Sequence, residues 1–124
     1  MRLYISTGSE IVACSGAQIQ CAPLPGSGVL CVSGKALFCA SGEDRVIWKL
    51  DSEALMPQAV FPAGPGVCDL CVSRDGKRLY ALLGEADSVL MCDAGTGAAL
   101  VVCRCGVNPR HMALSGDVLA VAGG

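Results

Sequence analysis

The chain has 124 residues, the length of one domain, of which 52% are hydrophobic, 16% are charged and 16 are glycine. That mixture excludes a disordered segment and suits buried strands joined by tight turns. A net charge of −2, with its nine basic residues scattered, excludes a nucleic-acid groove, and no run approaches the ~20 apolar residues of a membrane span.

In chain order, Met1-Arg2 leads straight into an expected strand over residues 3–8, without an apolar targeting segment. The expected compartment is the cytoplasm. Short strands with turn residues between them follow over 11–14, 17–21, 28–33, 37–42, 47–51, 58–61 and 67–73. The turn Arg74-Asp75-Gly76-Lys77 pairs an Asp that initiates turns with a Gly that supplies positive φ, so it predicts a hairpin into the strand over 79–84. Strands over 89–93, 100–104, 110–115 and 119–124 complete the series, and residues 51–56 allow at most one helical turn.

The segments that begin at Leu3, Leu37, Leu79 and Leu119 are copies of one strand, offset by 34, 42 and 40 residues. Approximate repeats run over 1–35, 36–77 and 78–117, with the start of another over 118–124, all within one domain. Four antiparallel strands every forty residues define a β-propeller blade. The expected fold class is therefore all-β, with about three four-stranded blades. A closed propeller has four to eight blades. The expectation is either a fragment of a seven-bladed protein of roughly 280–300 residues or a ring closed by a homo-oligomer.

The stretch Ser73-Arg74-Asp75-Gly76-Lys77-Arg78-Leu79-Tyr80, followed by Val89-Leu90-Met91-Cys92-Asp93 and Thr96-Gly97, resembles the YVTN-type propeller repeat. The likeness is tight over residues 67–124 and looser over 1–66. Arg74 stands where that family usually has proline. What the resemblance implies is blade architecture, and such folds carry many unrelated activities.

Nine cysteines are the one compositional oddity. Cys68-x-x-Cys71 and Cys103-x-Cys105 are spacings that suggest a zinc site or a redox pair. Superposed repeats point elsewhere. Cys31 and Cys71 align with Ala113, Cys14 and Cys92 with Leu50, Cys39 with Ile5, Ala81 and Val121, and Cys103 with Phe61. At those positions a free thiol acts as a small buried hydrophobe. Cys68 and Cys71 also have opposite strand parity and so point to opposite faces. No metal and no cofactor are expected, and a reducing compartment fits so many thiols.

The same superposition puts Val29, Asp69 and His111 at one position of successive blades, beside Gly28, Cys68 and Arg110. In a propeller this first strand lines the central channel near the usual binding face. Asp69, Arg110 and His111 are thus the candidate ligand-binding residues, either as a polar site at the channel mouth or as a structural pair that ties blades together. The loops Gly8-Ser9-Glu10, Gly42-Glu43-Asp44-Arg45 and Gly84-Glu85-Ala86-Asp87 are each acidic and offer either solvated turns or a carboxylate ring. Trp48, which aligns with Leu90 and Val12, is expected between blades.

No complete catalytic constellation is visible. The leading expectation is a non-enzymatic binding or scaffold module whose protein or small-molecule ligand is unidentified. A lactonase-like propeller hydrolase that acts on a sugar-derived substrate is the alternative, which the resemblance and Asp69, Arg110 and His111 suggest. A third class is a thiol-rich protein that cross-links on oxidation.

Overall fold

A computed structural model describes residues 1–42, 44–106 and 108–123. Its regular elements are thirteen strands: β1 (Arg2–Ser6), β2 (Glu10–Ser15), β3 (Gln18–Pro23), β4 (Ser27–Ser33), β5 (Ala36–Ser41), β6 (Val46–Asp51), β7 (Pro57–Pro62), β8 (Val67–Val72), β9 (Arg78–Leu83), β10 (Ser88–Asp93), β11 (Ala99–Arg104), β12 (Pro109–Ser115) and β13 (Val118–Gly123). Among the described residues no helix is long and apolar enough to cross a membrane.

The strands form four antiparallel meanders: β1–β3, β4–β7, β8–β11 and β12–β13. Three four-stranded blades were the expectation, but only the two middle sheets are complete. The first sheet supplies the equivalents of the second, third and fourth strands of a blade, and the last sheet supplies those of the first two. The strands β4, β8 and β12 pack side by side as inner strands, with β1 against β4.

Turn chemistry repeats with the strands. The hairpins between first and second strands place Gly34, Gly76 and Gly116 at positive φ. In the middle copy Asp75 Oδ1 accepts from the Ser73 hydroxyl at 2.7 Å and from the Lys77 N–H at 3.0 Å, which closes the turn the sequence predicts. Between third and fourth strands, Asp51 Oδ1 accepts from the N–H groups of Glu53 and Ala54, and Asp93 Oδ1 accepts from those of Gly95 and Thr96. These N–H groups hold both carboxyls below the usual carboxylate range.

Core residues alternate along the second strand of a sheet, because successive side chains face opposite neighbours. In β5, Leu37 and Cys39 face the first sheet, where they join Ile11, Ala13, Leu50 and Leu55, with Trp48 packed against that cluster as expected. Phe38 and Ala40 face the third sheet and pack with Ile47, Phe61, Leu79, Ala81 and Leu90. Gly97 lets the third sheet close on Phe61: its φ is +78°, and an added Cβ would overlap the Phe61 ring. Lys49 ties the same seam by donating to the Ala94 carbonyl at 3.0 Å while lying over the Phe38 ring.

The cysteines divide by position. Cys39 and Cys92 are buried, Cys14, Cys31, Cys68, Cys71 and Cys105 are half-buried, and Cys21 and Cys103 are exposed. The apolar-core expectation thus fails for Cys103. Its repeat equivalent Phe61 is covered by the third sheet, whereas β11 has only the two-stranded β12–β13 sheet beside it and is exposed along its whole length.

Candidate functional site

Each inner strand starts with a β-bulge. The register against the second strand shifts between Ser27 and Leu30, between Val67 and Asp69, and between Pro109 and His111. A bulge breaks the ladder locally and re-aims the next side chain. It therefore sets where Asp69 and His111 point.

Asp69 turns into the seam between β8 and β12. Its Oδ1 accepts from its neighbour's N–H, that of Leu70, at 2.9 Å, and its Oδ2 accepts from the Met112 N–H at 2.8 Å. Leu70 and Met112 are repeat equivalents, each just past a bulge. One carboxylate thus satisfies the same backbone donor in two successive blades, an arrangement that costs free energy to break because buried backbone donors need partners. Of the two roles the sequence left open, tying blades together is the one these contacts describe, and the blade-to-blade bond runs to the Met112 backbone.

Arg110 and His111 lie elsewhere. With Cys68, Gly84, Asn108 and Pro109 they line a cleft of about 410 Å³ between the third and fourth sheets. Both side chains are exposed. The cleft wall is held by backbone-directed contacts: Cys68 Sγ donates to the Pro109 carbonyl at 3.5 Å, and the Gly84 N–H donates to the Gly66 carbonyl at 2.7 Å. Burial is the main reason the Cys68 thiol is pushed up, with the Asp69 charge adding to it and Arg110 opposing it. That thiol stays protonated at neutral pH.

The backbone at this corner is fixed by the repeat. Gly26 and Gly66 take positive φ before the first and second bulges, and Asn108, with φ of 54°, takes the equivalent place before the third. Asn tolerates this conformation better than most residues. Its N–H donates to Asp87 Oδ1 at 3.2 Å, so one acidic loop braces the next blade. Glu43 of the equivalent loop lies outside the described residues. Among the described residues no group of three or more His, Cys, Asp or Glu side chains is arranged to hold a metal ion.

Sequence reasoning missed two further clefts on the opposite, turn-bearing side. One, of about 370 Å³, has Phe38, Lys49, Arg74 and Asp75 in its wall. The other, of about 400 Å³, sets Tyr80 beside Arg74, Lys77 and Arg78, facing Asp117. Arg74 and Lys77 stand in the turn that the sequence predicts, and Tyr80 comes from the strand that follows it. Half-buried Cys31 and Cys71 share a third cleft with Arg74. Burial first, then the neighbouring Cys31 thiol, pushes Cys71 up to about 11.

Blades that meander outward from packed inner strands define the protein as a β-propeller, here part of one. Solved structures share this fold. Hydrazine synthase of Kuenenia stuttgartiensis superposes with a TM-score of 0.84 at 16% identity, over 97% of this chain and 38% of that chain. Sqt1 of Saccharomyces cerevisiae gives 0.77 at 16% identity, over 95% and 38%. BBS1N, solved in complex with ARL6DN, gives 0.77 at 24% identity, over 98% and 42%. The chain therefore spans about two fifths of the length of the structures it matches. Neither a family model nor a curated protein matches the sequence.

Proposed function

We propose that the chain is part of a YVTN-type propeller that serves as a non-enzymatic binding or scaffold module in the cytoplasm, with the channel-mouth cleft as its contact site. The observation that carries this reading is the division of labour at the third seam. Asp69 is occupied by two backbone donors, while Arg110 and His111 face an open cleft. A hydrolase would use a carboxylate to orient the imidazole as a base. Asp69, on the neighbouring inner strand, is turned into the blade contact, which supports recognition over turnover.

The neighbours are compatible with such a role, since BBS1N was solved with ARL6DN and another neighbour is a structure of the mitotic checkpoint complex. Hydrazine synthase and a luciferin-regenerating enzyme share the fold as well, so the fold by itself is neutral. The YVTN assignment rests on the hairpin that Ser73, Asp75 and Gly76 close. The compartment rests on nine free thiols.

The test compares the protein with its Arg110→Glu/His111→Ala variant in quantitative affinity capture, with Asp117→Asn as a control from another cleft. A partner retained by wild type and control, and lost by the double variant, is expected. Turnover of a sugar lactone that disappears in His111→Ala would overturn the reading.

A further inference from the structure

The seam clefts differ in how their cations are balanced. Two clefts on the turn-bearing side contain Asp75, which also stands next to Arg74 of the Cys31–Cys71 cleft, and Arg78 has Asp93 4.0 Å away, the one ion pair among the described residues. The channel-mouth cleft has Arg110 and His111 in its wall and no carboxylate. Of the acidic residues around it, Asp69 is bonded by the Leu70 and Met112 N–H groups and Asp87 by the Asn108 N–H, while Glu85, next to Gly84 of the wall, lies against Gly66. Arg110 has no acidic partner among the described residues.

We infer that this cleft binds a carboxylate-bearing ligand, with the Arg110 guanidinium as its charge partner and the His111 ring as a second donor. The inference rests on the binding-module reading and adds the ligand's chemistry. A guanidinium presents five N–H donors in a planar fork that matches both oxygens of one carboxylate. The Cys68 thiol, donating to the Pro109 carbonyl, closes the cleft floor with a neutral group that does not repel an anion. The Pro109 bulge and the Asn108 turn fix the backbone on which the two side chains stand at the cleft. A free organic acid and the terminal or side-chain carboxylate of a protein both supply the required group.

His111 is the only histidine in the chain, so its imidazole gives one unambiguous set of NMR signals. The isotope-labelled protein is titrated with N-acetyl-triglycine as the free acid, with its carboxamide, and with acetate. The free acid is expected to shift the His111 signals saturably, with a Kd at least tenfold below that of the carboxamide. Arg110→Gln should weaken the acid at least tenfold, and Arg74→Gln should leave it unchanged. Acetate equal to the peptide acid identifies a small organic acid as the source, and a tenfold advantage for the peptide identifies a protein segment; either supports the inference. Equal affinity for acid and carboxamide overturns it and leaves the binding-module reading in place. No saturable shift with any probe, in a protein with a native spectrum, also overturns it, as does an Arg110→Gln variant that binds like wild type. Lactone consumption in the same samples would instead count against the binding-module reading.

Discussion

The seam between the second and third sheets and the seam between the third and fourth are built from the same repeat positions, yet they are different surfaces. In the first, Val29, Phe38 and Phe61 meet the third sheet in a continuous apolar cluster. In the second, the equivalent positions are Asp69, Tyr80 and Cys103. The carboxylate bonds to backbone, the phenol ring lines a cleft, and the thiol is exposed. Apolar side chains at the three positions bury a continuous core across the seam and leave a cleft at its turn-bearing edge beside Phe38 and Lys49, whereas polar ones hold the other seam at its inner strand and leave Cys103 exposed. In this propeller, a continuous apolar core and a polar, cleft-lined contact are divided between successive seams.

The largest effect should come from removing the apolar seam's anchor. Phe61→Ala is expected to destabilise the protein by about 3–5 kcal/mol, the usual loss for a buried ring. Cys103→Ala at the equivalent position should stay within about 0.5 kcal/mol. Urea unfolding of both variants checks the pair, and equal losses would erase the contrast between seams.

Next in size is the glycine beneath Phe61. Gly97→Ala combines a left-handed backbone with an overlap against the ring, so a loss of about 2–4 kcal/mol is expected. Gly116→Ala has the left-handed backbone but open space around the new methyl group, and should cost about 1–2 kcal/mol. Thermal melts of the two variants measure the difference.

The strand series was legible because turn residues recur with it. Gly34, Gly76 and Gly116 stand at equivalent hairpins, and Asn108 stands where Gly26 and Gly66 do. Superposed repeats also placed Asp69 and His111 at one level of the inner strands. What Asp69 does there was not legible. It depends on a register shift of the ladder that leaves Leu70 and Met112 donors to be satisfied, and no residue pattern encodes that shift directly. Cys103 misled for a related reason. A position apolar in every copy is buried only where the next sheet reaches far enough outward to cover it.

Smaller effects come from the turn carboxylates. Asp93 is held low by the Thr96 and Gly95 N–H groups, Asp51 by those of Ala54 and Glu53, and Asp75 by the Ser73 hydroxyl and then the Lys77 N–H. A folded-state pKa below the unfolded value of about 3.9 adds stability that is present above that pH and lost as pH falls through the folded value. Acid titration should therefore weaken the protein below about pH 4. Asp93→Asn, which keeps the acceptor and removes the titration, should flatten that loss slightly.

The smallest changes in structure attend thiol labelling, which reads the seams one residue at a time. Iodoacetamide at neutral pH should modify Cys21 and Cys103 quickly and spare Cys39 and Cys92 until denaturant is added. Cys71, held protonated up to about pH 11, should label slowly at neutral pH although it lines a cleft. Peptide mass spectrometry resolves the five sites.

The central claim is that Asp69 holds the polar seam together while Arg110 and His111 remain free at its mouth. Amide hydrogen exchange at Leu70 and Met112 tests it most directly, compared among the wild type, Asp69→Ala and His111→Ala. The account predicts that Asp69→Ala accelerates exchange at both amides at least tenfold and that His111→Ala leaves both unchanged. Unchanged protection at Leu70 and Met112 in Asp69→Ala would contradict it.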